Sequence, residues 1–152
     1  MVEILELDEI DRKLLNLLQE NSKLPYAELG ERLGISSSGV HKRVKRLVEE
    51  DVIKRFAAIV DPQETEKKLK AFIGVATEPG RCADVRPKLI ERPEILGVHE
   101  TAGDHDLLVK LITKDTLKLN DILHEIDSIP GVSSTRTSIV LKTEKETTLV
   151  KF

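Results

Sequence analysis

Tyr26-Ala27-Glu28-Leu29-Gly30-Glu31-Arg32-Leu33-Gly34-Ile35-Ser36-Ser37-Ser38-Gly39-Val40-His41-Lys42-Arg43-Val44-Lys45-Arg46-Leu47-Val48 is the stretch that decides how the chain folds. Ala27, Leu29 and Leu33 mark a short amphipathic helix, and Gly34 supplies the left-handed residue that ends it. Ser36 caps a second helix whose inward face is Val40, Val44 and Leu47. Gly34, Ile35 and Ser36 alone separate the two, which is a helix-turn-helix connection. At about 100° per residue, the side away from Val40, Val44 and Leu47 carries Ser38, His41, Lys42, Lys45 and Arg46. No acid falls between Ser36 and Val48. A helix that enters the major groove needs such a face: small residues for close approach, cations for phosphates, polar groups for base edges. Ser36, Ser37, Ser38, Gly39, His41, Lys42, Arg43, Lys45 and Arg46 are therefore the expected contacts to double-stranded DNA. The bland competitor is a basic surface helix in an ordinary bundle, but such helices usually mix glutamates among their lysines.

Upstream, Asp8 is placed to cap a helix from Asp8 to Glu20, with Asp11 at the capping-box position and Ile10, Leu14, Leu17 and Leu18 at helical spacing. Pro25 disfavours helix at Leu24 and separates it from the next. Downstream, Asp51 to Val60 is β-rich, has the length for two short strands, and ends on the turn signal Asp61-Pro62. The charged stretch that follows reads as a linker. These signals predict a DNA-binding domain over residues 1–60, a linker over 61–70 and a second domain over 71–152.

In the second domain the pattern runs strand (71–76), helix (83–91), strand (95–101), strand (106–113), helix (116–126), strand (132–142). Such a βαββαβ order is the ferredoxin-like, split βαβ arrangement, so the fold class is α+β. Leu107 to Ile112 and Ile139 to Leu141 are apolar on both faces, where a sheet with one wet face alternates. The second face is therefore expected to bury itself against another copy of the chain.

The resemblance now becomes specific. Residues 7–62, LDEIDRKLLNLLQENSKLPYAELGERLGISSSGVHKRVKRLVEEDVIKRFAAIVDP, look like the amino-terminal half of the Lrp/AsnC (feast/famine) transcription regulators, and PEILGVHETAGDHDLLVKL and IPGVSSTRTSIVLK resemble that family's effector and oligomerisation domain. What the resemblance implies is a winged helix-turn-helix, homodimers that assemble to tetramers or octamers, and control by an amino acid. It also implies an effector near the Gly-x-x-Asp element that Gly103 and Asp106 match. Gly103, Asp104, His105 and Asp106 on the turn, with Ser134, Thr135 and Thr137 on the last strand, are the candidate effector residues: N–H groups for a carboxylate, acids for an ammonium group. An equally good reading makes Gly103-Asp104 hairpin chemistry and Asp106 a turn-stabilising side chain. One departure stands out: Asp51 occupies a position after the third helix where the family usually has glycine.

The remaining observations exclude. The net charge of −3 does not argue against nucleic acid, because a local patch governs binding. No run of about 18 uncharged apolar residues occurs, and acids stand where a signal peptide carries bases, so a cytoplasmic protein without a membrane segment is expected. Lone Cys82 forms no intrachain disulfide, and one cysteine with four histidines gives no zinc spacing. No catalytic triad, nucleotide loop or metal triad appears, so no enzyme, cofactor or metal is expected. Two other classes remain as alternatives. A siroheme-decarboxylase-like enzyme would draw on His99, His105, His124, Arg81, Arg86, Arg92 and Arg136, and a non-specific architectural protein would rely on phosphate contacts alone.

Overall fold

The structure, a computed structural model, describes residues 6–152; residues 1–5 of the expected first domain lie outside the described residues. The chain divides into two compact units, one of residues up to Ile59 together with Lys145–Phe152, the other of Val60–Glu144. Residues 145–152, at the end of the expected second domain, pack with the first unit, where side chains of the first helix bond their backbone. Most of the expected linker likewise has structure in the second unit. Pro62–Glu64 form a 3-10 turn, and the Asp61 carboxylate accepts the Gln63 N–H at 2.9 Å.

The first unit holds α1 (Glu9–Glu20), α2 (Tyr26–Leu33) and α3 (Ser37–Glu49). Asp8 starts α1 as a reciprocal capping box: its carboxylate accepts the Asp11 N–H at 2.8 Å, and that of Asp11 accepts the Asp8 N–H at 3.2 Å. Leu14, Leu15, Leu18, Leu29, Val40, Val44 and Leu47 form the core. All but Leu15 stand at the expected helical spacing, whereas Leu17 and Leu33 are only partly buried against that core, Ile10 is half-buried and Ala27 is exposed. Gly34 ends α2 at φ 69°. Asp51, after α3, is left-handed at φ 56°, a conformation that Asp tolerates better than most residues.

The two strands expected within residues 51–60 do not form. Strand propensity needs a neighbouring ladder to act on, and the described first unit contains no strand to pair with. Phe56 and Ile59 are left 50% and 86% exposed.

The second unit contains β1 (Leu69–Thr77), α4 (Cys82–Ile90), β2 (Ile95–Glu100), β3 (Leu107–Thr113), α5 (Thr116–Asp127) and β4 (Val132–Ile139). All pairings in the sheet are antiparallel, in the order β2-β3-β1-β4, which is the split βαβ topology. Ala71, Ile73 and Val75 of β1 and Leu107, Val109 and Leu111 of β3 meet Val85 and Leu89 of α4 and Leu119, Ile122 and Ile126 of α5 in one core. Both helices thus cover the same sheet face. The opposite face carries Phe72, Gly74, His99, Leu108, Lys110 and Arg136, and no element of the unit's core lies over it. β4 ends at Ile139, opposite Ala71, rather than running to Lys142, with the Val140 N–H still donating to the Lys70 carbonyl at 2.9 Å.

Candidate nucleic-acid interface

The turn that sets α3 against α2 depends on a close backbone approach. The Ile35 N–H donates to the Gly30 carbonyl at 3.0 Å, and a Cβ on Gly30 would lie 2.6 Å from the Ile35 carbonyl oxygen. Ser36 then caps α3, its Oγ accepting the Gly39 N–H at 3.1 Å and lying 3.0 Å from the Ser38 Oγ. The helix therefore starts in a fixed register, with Ser37, Ser38, His41, Lys42 and Lys45 exposed along one side.

Tyr26, at the start of α2, completes that side. Its ring meets the His41 imidazole edge-on, centroids 5.8 Å apart at 79°. Tyr26, Ser37, Ser38, His41 and Lys42 line an open depression of about 570 Å³. Tyr26 was not among the expected DNA contacts. The tertiary approach of α2 to α3 brings it there, and helical periodicity within either segment carries no trace of that approach.

Arg43 and Arg46 behave differently from the lysines. Both turn toward the start of α1. Arg43 Nη1 donates to Asp8 Oδ2 at 2.6 Å and to Asp11 Oδ1 at 2.7 Å, and Arg46 Nη2 donates to Asp11 Oδ2 at 2.5 Å. The Asp11 side chain is fully buried, so its carboxylate relies on these two guanidiniums and the Asp8 N–H. The Asp11 N–H, helped by Arg43, holds the Asp8 carboxyl below its ordinary range, and both carboxylates push the Arg43 guanidinium up. The free cationic face is therefore narrower than expected: Arg43 and Arg46 lock α3 to α1, while Lys42 and Lys45 stay on the surface. Lys45 lies 3.6 Å from Glu49, an exposed pair too weak to withhold it from a phosphate.

The candidate effector residues lie in the second unit on both sides of the end of β1, the Asp106 N–H donating to the Val75 carbonyl while Thr135 and Ser134 pair with Val75 and Ala76. Thr101 and Asp106 close the turn between β2 and β3, the Thr101 N–H donating to the Asp106 carbonyl at 2.9 Å. The Asp106 carboxylate accepts the Thr77 N–H at 2.7 Å and the Thr77 hydroxyl at 2.9 Å, and these bonds hold its carboxyl below the ordinary range. Thr101 Oγ1 donates to the His105 carbonyl at 2.8 Å, and the His105 ring covers Gly74, where a Cβ would lie 2.7 Å from Nδ1. Gly103 and Asp104 are exposed at the tip, with open space around Gly103. On β4, Thr135 and Thr137 pair with core-facing Val75 and Ile73, and Thr135 donates to Asp127 at 2.8 Å, whereas Ser134 lies on the opposite face. Of the residues named for a tetrapyrrole enzyme, Arg81 pairs with Asp84, Arg86 with Glu100 and Arg92 with Glu125, and exposed His124 lies on α5. His99, His105 and Arg136 share the helix-free sheet face, His99, Leu108, Gly74 and Arg136 forming one row across the strands with the His105 ring against Gly74.

Residues 7–54 match the family model described as winged helix-turn-helix DNA-binding, and residues 70–150 match that of the Lrp/AsnC ligand-binding domain. The chain belongs to the Lrp/AsnC family. It is 46% identical to the HTH-type transcriptional regulator FL11 of Pyrococcus horikoshii over 142 residues, covering 93% of this chain and 94% of that one. It is 32% identical to the HTH-type transcriptional regulator LysM of Saccharolobus solfataricus, covering 90% and 95%. Among solved structures it superposes on Escherichia coli AsnC with a TM-score of 0.89 at 26% identity, covering 95% and 98%. A transcriptional regulator from Neisseria meningitidis, solved as its L-Met complex, gives 0.86 at 32% identity, covering 94% and 95%. This Lrp/AsnC protein is a DNA-binding transcription regulator built from a helix-turn-helix unit and a ligand-binding α/β unit. Among its described residues no helix is long and apolar enough to cross a membrane.

Proposed function

We propose that the protein reads a specific double-stranded DNA site through Ser37, Ser38, His41, Lys42 and Lys45 of α3, with Tyr26 of α2 against the same strand. The observation that carries this reading is the exposed, acid-free face those residues share after Arg43 and Arg46 have been drawn to Asp11. Serines and the first-turn backbone suit close approach, the lysines suit phosphates, and His41 suits a base edge.

The binding unit is a symmetric homodimer, with two α3 helices in successive major grooves about 34 Å apart. Support comes from the helix-free sheet face, where Phe72 and Leu108 are not covered by the core of their own unit. Such dimers then associate to tetramers or octamers. The α/β unit takes an amino acid near the Gly103–Asp106 turn. That reading is supported by the match to the Lrp/AsnC ligand-binding domain and by the L-Met complex of the Neisseria relative.

Selection of bound genomic fragments, with and without each amino acid, tests the reading. It predicts enrichment of a pseudo-palindrome whose occupancy at least one amino acid alters. Equal recovery of all fragments would instead mark a non-specific architectural protein, and a coloured haem-like adduct without DNA binding would mark the tetrapyrrole enzyme.

A further inference from the structure

Asn16 and Gln19 stand three residues apart on α1, so they share one face of the helix. Each uses both ends of its side-chain amide on the backbone of the chain's last residues. Gln19 Nε2 donates to the Val150 carbonyl at 2.7 Å while Gln19 Oε1 accepts the Val150 N–H at 2.7 Å. Asn16 Nδ2 donates to the Phe152 carbonyl at 3.2 Å while Asn16 Oδ1 accepts the Phe152 N–H at 3.2 Å. Alternate residues of an extended chain present their N–H and C=O groups to the same side, so Val150 and Phe152 offer α1 the edge that a strand offers its neighbour. The two amides imitate that neighbour.

We propose that this face of α1 is a docking surface that reads the backbone of an extended peptide, and that its occupant is the chain's own carboxy-terminal segment Leu149–Phe152. The chain passes from the first unit to the second at residues 59–60 and returns at 144–145. A docked end therefore gives the first unit a second connection, the chain through residues 144–145 held to α1 by hydrogen bonds. Because the contact is made with backbone groups, it depends on the amides of Asn16 and Gln19 and on the Val150 N–H, and is indifferent to the side chain at position 150.

The test is ¹⁵N relaxation on the full chain without DNA, which keeps it separate from the DNA-binding reading. In the unaltered protein the amides of residues 149–152 should have order parameters near the rigid value of about 0.85. Val150→Ala should leave them there. Val150→Pro, which removes the donor while leaving α1 untouched, and the double substitution Asn16→Ala with Gln19→Ala should each drop them below about 0.6, with α1 and α3 signals unchanged. A mobile end in the unaltered protein would overturn the proposal. So would release by Val150→Ala as complete as by Val150→Pro, since the side chain would then be what α1 reads.

Discussion

Arg43 on α3 donates to Asp11 on α1 at 2.7 Å, and the Asp11 side chain lies fully buried. The relationship changes what a basic sequence means. A run of four cations in five residues contains two, Lys42 and Lys45, that stay exposed and two that orient the helix carrying them. Arg46 and Arg43 grip the same carboxylate from positions three apart, which fixes both the rotation of α3 and its distance from α1.

Asp11→Ala should therefore destabilise the protein and leave two guanidiniums unpaired. Breaking a buried ion pair from one side costs about 3–5 kcal/mol, and the partial exposure of Arg43 and Arg46 brings the expectation to about 2–3 kcal/mol. Urea unfolding followed by circular dichroism measures it. A drop in stability below about 0.5 kcal/mol, the size of an ordinary surface change, would contradict the locking role.

Gly30→Ala tests the α2–α3 turn. Its new methyl would lie 2.6 Å from the Ile35 carbonyl oxygen, a backbone atom that cannot rotate away. Relief requires α2 and α3 to move apart, at a cost of about 1–3 kcal/mol. Unchanged melting of Gly30→Ala would show that the turn has slack.

Acid should loosen both units through carboxyls whose folded values are lowered. The Asp11 N–H and then Arg43 hold Asp8 below its ordinary 3.8, and Thr77 does the same for Asp106. A lowered folded value means that the stabilisation is complete above 3.8 and is lost as pH falls through the lower folded values. Denaturant midpoints should hold steady down to about pH 5 and decline below about pH 4. Asp8→Asn keeps a capping oxygen and removes the titration, so its decline should be shallower; an identical decline would show that Asp8 is not among the groups responsible.

The helices, their caps and the βαββαβ order were legible because each rests on local chemistry: Asp8 and Ser36 as caps, Gly34 as a stop, apolar residues at helical spacing. What stayed illegible was tertiary. Arg43 and Lys42 look alike in a sequence, and only the proximity of Asp8 and Asp11 to α3 separates them. The β-rich run ending at Val60 carries strand propensity without a partner strand in its own described unit, so propensity alone predicted too much. The docking of the carboxy-terminal segment stayed illegible because it uses backbone groups, which no side-chain pattern encodes.

For the effector, Asp106 and Gly103 separate two roles. Asp106 already holds Thr77 by two hydrogen bonds, so Asp106→Ala should lower melting even without ligand. Gly103 is surrounded by open space and has no left-handed φ, so Gly103→Val should fold normally. If an amino acid raises the melting temperature of the unaltered protein, Gly103→Val should blunt that shift at unchanged basal stability. A full shift in Gly103→Val would move the ligand away from this turn.

The division between reading and locking cations is tested most directly by the salt dependence of DNA binding. Removing one cation that neutralises a phosphate lowers the slope of log affinity against log salt by about one unit. Lys42→Ala with Lys45→Ala, assayed on the selected site, should reduce that slope by about two units per α3 helix with no change in melting. Arg43→Ala should lower melting and leave the slope nearly as it was. Equal slopes for the unaltered protein and the double lysine variant, or a slope that collapses in Arg43→Ala at unchanged stability, would contradict the account.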